Sequence, residues 1–170
     1  STGDGYRFAE SLGHTIMEPK PALTPVFIKD YRFAGISGLG LANRHITLFR
    51  NDKKIAENIG DIGFTHWGLS GPGILNISRY IEAGDTLKIN MIDTNPDELR
   101  QILIETAEKN GKMLLKKHLK QYDLSDNLIK IILNELIIDL SIKIADLNKS
   151  LRNKLIETLC AHPFIVDQPG

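Results

Sequence analysis

Three glycines, a serine and a proline crowd into Gly68-Leu69-Ser70-Gly71-Pro72-Gly73, between the strand-like residues that end at Phe64 and a helix-like run after Gly73. The rest of the chain is organised around this stretch. Glycine has no Cβ to block positive φ or the close approach of a second segment. Pro72 has no N–H and a preset φ, which suits the first turn of a helix. Ser70 stands where it could cap that turn. Phe64 to Leu75, which also holds Thr65, His66 and the single tryptophan Trp67, therefore reads as strand, tight turn and helix start. Unpaired N–H groups there would suit an anion or a polar ring edge. A purely structural corner explains the same residues.

The remaining chain bounds what that corner can serve. With 170 residues there is bulk for one domain or two small subdomains. Twenty-one basic residues balance 21 acidic ones, so no global field draws in nucleic acid or an acidic membrane surface. The lone Cys160 cannot form an internal disulfide, which fits a reducing cytoplasm, and its helix-like surroundings suggest a buried structural thiol. No apolar run is long enough to span a bilayer, and no signal-peptide pattern opens the sequence. The first residue is not Met and both ends are turn-like, which suggests a piece of a longer protein.

Periodicity divides the chain. Thr2 or Asp4 could cap a short helix from Tyr6 to Leu12, ended by Gly13. His14 to Phe27, with Pro19, Pro21 and Pro25, suits edge strand or irregular extended chain. Arg44–Phe49 and Ile55–Ile62 read as a hairpin around an Asn51–Lys54 turn. Pro72–Tyr80 reads as a short helix, and Asp85–Ile92 alternates as a strand. From Asn95 the period lengthens towards four. Asn95-Pro96-Asp97-Glu98 is a helix start, Met113 to Leu119 a short helix, Ser125-Asp126 another start, and Leu147–Leu159 a final helix. Phe164-Ile165-Val166 then returns as a strand. Strands followed by helices and one returning strand predict an α+β chain.

Several motifs fail on context. Gly35 to Asn43 imitates a dinucleotide loop, but Asn43 fills the third small-residue slot and a strand follows it. Gly68-Leu69-Ser70-Gly71-Pro72 approaches a hydrolase elbow but ends in proline, and His118 and His162 are poor partners for Ser70. The five histidines lack metal-ligand spacing. Lys112, Lys116, Lys117 and Lys120, with His118, read as a solvated basic helix face without an aromatic platform.

Ser1 to His14, Pro21 to Val26, Phe64 to Leu75 and His162-Pro163-Phe164 together resemble the BaiN-like, aminoacetone-oxidase-like family of bacterial NAD(P)/FAD-dependent oxidoreductases. The resemblance covers the whole chain. It departs in one respect: the flavin-binding segments that flank this region in the family are not in the sequence. The chain resembles only the insert, for which the resemblance implies a small antiparallel β-barrel of the reductase and elongation-factor type with an appended helical subdomain. On that reading residues 1–13 are an incoming helix, 14–94 plus 163–167 the barrel, and 95–162 the helical part. The insert would cover the flavin and shape the substrate pocket. Thr65, His66 and Ser70 would face the isoalloxazine or substrate, Gly68 and Gly71 would let the cofactor approach, and Gly3, Asp4 and Gly5 would sit where the chain leaves the flavin domain. FAD would reside in the full-length parent, with use of NAD(P)H open, and none on this fragment. The implied partners are the parent's own FAD-binding domain and a small-molecule substrate, without nucleic acid or membrane. A stand-alone protein- or RNA-interaction module is the alternative.

Overall fold

A computed structural model describes residues 3–17 and 22–170. Thr2, Pro19 and Pro21, read above as a cap and strand breakers, lie outside the described residues. The α+β expectation holds: six antiparallel strands close into a barrel, and helices extend from it.

The barrel strands are β1 (Val26–Ile28), β2 (Gly40–Arg50), β3 (Lys53–Phe64), β4 (Gly68–Ser70), β5 (Thr86–Ile89) and β6 (His162–Pro169). Around the ring the order is β1-β4-β3-β2-β5-β6, with β6 returning to pair β1. Alternation in the sequence becomes inside and outside. Ile46 and Leu48 of β2, Leu87 and Ile89 of β5, and Phe164 and Val166 of β6 are all buried. Phe33 stacks on Phe64 at 5.5 Å and lies 5.2 Å from Phe164, filling the same interior. Chain closure is direct, for the Gly170 N–H donates to the Pro25 carbonyl at 2.9 Å.

The β2–β3 hairpin is tighter than expected. Arg50 pairs with Lys53, so the turn is the two residues Asn51-Asp52, at φ 48° and 60°, and not Asn51–Lys54. Positive φ at both central positions matches the twist of the flanking strands, and Asn and Asp tolerate it. A bulge near Asn43 (φ 55°) is held by the Asn43 N–H donating to Asp61 Oδ1 at 2.8 Å. The strand expected over Asp85–Ile92 is limited to β5; Asp85 turns inward to an ion pair, and Met91 and Ile92 leave the ladder for the joint with the helices.

The helices are α1 (Asp4–Ser11), α2 (Pro72–Leu75), α3 (Pro96–Asn110), α4 (Leu115–Leu119), α5 (Asp126–Glu135) and α6 (Lys149–Cys160). Three begin with side-chain caps: Asn95, Ser125 and Asn148 accept from the N–H groups of Glu98, Leu128 and Leu151. The short helix expected from Met113 starts only at Leu115, because the Leu114 backbone bridges to Lys143. Helices α3 and α6 lie against each other, and each buries a leucine stripe, Leu99 and Leu103 on α3 and Leu155 and Leu159 on α6. Two links fasten this group to the barrel. The Met91 N–H donates to the Leu159 carbonyl at 2.8 Å, and His162 Nε2 meets Glu135 at 2.8 Å. One continuous apolar core runs through barrel and helices.

At the start of the chain, α1 is capped by Gly3 (φ 75°), and Asp4 is its first residue. Asp4 pairs instead with Arg7 one turn on. None of α1 is buried: Tyr6 and Phe8 are exposed, as is Leu12, the residue that ends it.

Candidate functional site

Because β3 ends at Phe64 and β4 begins at Gly68, Thr65-His66-Trp67 form the tip of a tight connection. Thr65 builds that tip. Its N–H and hydroxyl donate to the Gly68 carbonyl at 2.9 and 3.0 Å, and its Oγ1 accepts from the N–H groups of Gly68 and Trp67 at 3.0 and 3.3 Å. The Thr65 hydroxyl is thus engaged in a local turn of the kind Ser and Thr side chains favour. His66 and Trp67 are left facing outward, Trp67 with 71% of its surface exposed. The Trp67 carbonyl accepts the Ile28 N–H at 3.1 Å, which ties the tip to β1. Beside the Thr65 backbone, burial pushes the Tyr31 phenol well above the ordinary tyrosine range.

The glycines behind the tip serve close packing. A Cβ on Gly68 would lie 2.0 Å from the Val26 carbonyl oxygen. Gly71 sits at φ 90°, where a Cβ would come within 2.7 Å of the Asp61 carbonyl. Ser70 does not cap α2. It closes β4 opposite Gly63, and Gly71 is the N-cap, its carbonyl receiving the Ile74 and Leu75 N–H groups. Nor does Pro72–Tyr80 form one helix: α2 stops at Leu75 and a 3-10 turn covers Ser78–Tyr80. The expected anion site is replaced by protein. Asp61's carbonyl, itself an acceptor, stands against Gly71 and Gly73, and four residues of helix supply little dipole.

Of the other predicted residues, Gly3, Asp4 and Gly5 lie together at the start of α1, on a helix separate in sequence and fold from the Thr65–Ser70 tip. His118, read with the basic helix face, is buried. Burial lowers its pKa, so it is a neutral core side chain with the Gln121 amide 3.0 Å from Nε2. His45 faces Glu57 at 3.8 Å on the outer side of the long hairpin. Among the described residues no group of three His, Cys, Asp or Glu side chains could hold a metal.

Two pairings escaped the sequence reading. Arg50 clasps the buried Asp85, and Glu135 meets His162 beside a pocket of about 130 Å³ that Tyr31 and Phe33 also line. His162 Nδ1 is buried there without a partner among the described residues. Separations of 35 and 27 residues gave no local signal for either pair. A larger groove of about 500 Å³ lies between α4 and α5, with Lys116, Lys117, Lys120 and Lys130 along it. Lys116 and Lys117 come from α4, Lys120 from the 3-10 turn after it and Lys130 from α5, and only the first three were visible as a run.

With this geometry in hand, comparison with known proteins is informative. The family model described as HI0933-like protein barrel and H2TH domain matches residues 20–170. A 3-dehydro-bile acid delta(4,6)-reductase of Clostridium scindens is 33% identical over 84 residues, covering 49% of this chain and 20% of that protein. The ribosomal RNA dihydrouridine synthase of Escherichia coli is 31% identical over 117 residues, covering 68% of this chain and 28% of that protein. That of Haemophilus influenzae is 26% identical over 118 residues, with the same two shares. The chain thus spans between a fifth and under a third of the length of these relatives.

Proposed function

Since this chain belongs to the HI0933-like family of barrel and H2TH domains found in flavoprotein oxidoreductases, we propose that it is the insert covering the flavin of a longer FAD-dependent oxidoreductase. The observation that carries this reading is the outward pair His66–Trp67 on a turn stiffened by Thr65 and backed by close-packed glycines. An exposed tryptophan on a rigid support presents a broad apolar face with one N–H, which suits stacking against a flat polar ring. A neighbouring imidazole adds a hydrogen-bonding edge that can donate or accept.

The residues fit a flavin laid against the tip and not one enclosed by it, because the space beside Gly68 and Gly71 is taken by neighbouring backbone. Bound FAD would supply hydride transfer, held by the rest of the parent. Within this chain, Trp67 would exclude water from one side of the pocket and His66 would orient a polar group of the substrate. Thr65, Gly68, Ser70 and Gly71 would hold the tip in shape. Gly3, Asp4 and Gly5 would stand at the junction with the flavin domain. The relatives' names, a reductase and two dihydrouridine synthases, share the addition of hydrogen to a double bond, and we assign the parent that class of reaction.

The test is made in the full-length parent with Trp67→Ala and His66→Ala. Each variant should retain FAD at one per chain, lose turnover roughly tenfold or more (about 1.4 kcal/mol of activation free energy per tenfold) and shift the bound-flavin absorbance. A parent that purifies colourless and takes up no FAD, or unchanged turnover in both variants, would overturn the proposal.

A further inference from the structure

We propose that Arg44 is the cationic half of a carboxylate-binding site, at the end of the barrel that carries the Thr65–Ser70 tip. This goes beyond the flavin reading and does not need it. Arg44 lies on β2 in step with Ile46 and Leu48, and like them it turns to the inner side of the sheet. Among the described residues it is the one buried arginine, with 9% of its surface left. No described residue gives its guanidinium a hydrogen bond or an ion pair, and its Nε is wholly enclosed. An arginine keeps its charge inside a protein, and an enclosed charge without a counter-charge is costly. A side chain that only carried its head out to water would free Nε together with both Nη groups. Here Nε stays behind, while Nη1 and Nη2 are not enclosed and remain within reach of a ligand.

The other end of the same strand shows what is missing. Arg50 is held there by Asp85 and Glu82 at 2.8 and 2.9 Å. Around Arg44 the fold leaves room and supplies no acid. Its cross-strand partner is Gly60, which has no side chain and packs so closely on Gly73 of α2 that a Cβ would lie 2.9 Å from the Gly73 Cα. The adjoining acid, Asp61, is exposed on the opposite face of β3 and accepts the Asn43 N–H on Oδ1 at 2.8 Å. His45, the neighbouring titratable group on β2, is turned outward to Glu57 at 3.8 Å. One guanidinium without a second cation neutralises one negative charge, and its planar fork matches the two oxygens of a carboxylate. A phosphate dianion would keep half its charge unpaired there. The carboxylate is carried either by a free small molecule or by an Asp or Glu of the parent outside this chain.

The probe is sodium acetate, titrated into the nitrogen-15-labelled chain at constant ionic strength with sodium chloride as the balance. The readout is the Arg44 Nε–H cross-peak, which enclosure protects from exchange with water and which its absence from R44M assigns. Acetate should shift that peak saturably, with a Kd on the order of 1 to 10 mM. At 50 mM it should raise the thermal midpoint by roughly 2 to 5 °C. R44M should not respond to acetate, and R44Q takes its place if it does not fold. R100M, at an exposed arginine on α3, should respond as the unaltered chain does. The same titration in the full-length parent separates the two sources. A peak that still moves with acetate means a free carboxylate, and a peak already at the acetate-bound position and unmoved by acetate means one of the parent's own. No movement of the peak in the chain at 200 mM acetate would overturn the proposal. So would chloride or phosphate moving it at lower concentration than acetate, or an equal rise of the midpoint in R44M.

Discussion

Arg50 holds Asp85 with two parallel hydrogen bonds, Nε to Oδ1 at 2.8 Å and Nη2 to Oδ2 at 2.9 Å, across the end of the barrel. The Glu82 N–H adds a third to Asp85 at 2.8 Å, and the carboxylate is only 2% exposed. Burial by itself would raise the Asp85 pKa. The Arg50 hydrogen bonds and charge, with the Glu82 N–H, outweigh it and hold the carboxyl below the ordinary aspartate range. Such a bidentate clasp joins the end of β2 to the turn that starts β5.

Asp85→Ala should therefore cost about 3 kcal/mol and lower the thermal midpoint by roughly 10 °C. The pH dependence has a definite sign. Because the folded pKa is depressed, the stabilisation is complete above the unfolded value near 4 and drains as pH falls through the folded value. Denaturant melts of both proteins from pH 7 to pH 2 should converge towards the acid end.

Gly68→Ala should destabilise by about 3 kcal/mol, since its methyl would sit 2.0 Å from the Val26 carbonyl and must part β1 from β4. Gly35→Ala meets open space and should change stability by less than about 0.5 kcal/mol. Urea midpoints of the two variants measure the contrast.

Ile137 ends the turn after α5 at φ 56° with 92% of its surface exposed, a left-handed position where a β-branched side chain is strained. Its neighbour's N–H, from Ile138, closes back on the Leu133 carbonyl at 2.8 Å, which fixes that geometry. Ile137→Gly should stabilise the chain by about 1 kcal/mol, read as a rise in the thermal midpoint.

His118 is kept neutral by burial, so its folded pKa lies below the unfolded value. The unfolded chain then takes up a proton that the folded chain refuses, and stability falls as pH drops below about 6.5. His118→Gln should abolish the part of the pH 7 to pH 5 slope that this residue causes. Calorimetry across that window in both proteins isolates it.

The Cys160 thiol has the opposite linkage. Burial pushes its pKa up to about 11, so the folded protein favours the neutral thiol. Stability is unaffected below the ordinary thiol pKa near 8.5 and declines as pH rises from there to 11. Alkylation of the native chain at pH 8 should run at least tenfold slower than in 6 M guanidinium, since the thiolate is both scarce and covered.

The parts of the fold legible in the sequence were those written in local chemistry. Asn95, Ser125 and Asn148 each sit just before an apolar stripe, and Asn95 and Ser125 announced their caps without help from tertiary structure. Alternation located β2 and the body of β5, the hairpin pattern located β3, the apolar Phe164-Ile165-Val166 located β6, and Gly68–Gly73 marked a corner whose tightness the backbone contacts explain. Burial of His118 was hidden, because a helix of lysines reads as wet on every face while the ring turns under it towards Tyr122. Asp85 was hidden for a different reason. Its partner lies 35 residues away, and nothing local separates a clasped aspartate from a loop aspartate. At the tip, the residue types were visible but the division of labour was not: Thr65 folds back on the turn while His66 and Trp67 point out, and only the backbone path decides which does which.

The bond from the Gly170 N–H to the Pro25 carbonyl has an architectural consequence. Both extremities of the barrel lie on adjacent antiparallel strands, about 5 Å apart, a gap any two-residue surface bend already spans. Residues 25–170 can be grafted into a loop of an unrelated host, or joined head to tail and reopened elsewhere, without the scaffold on either side having to stretch.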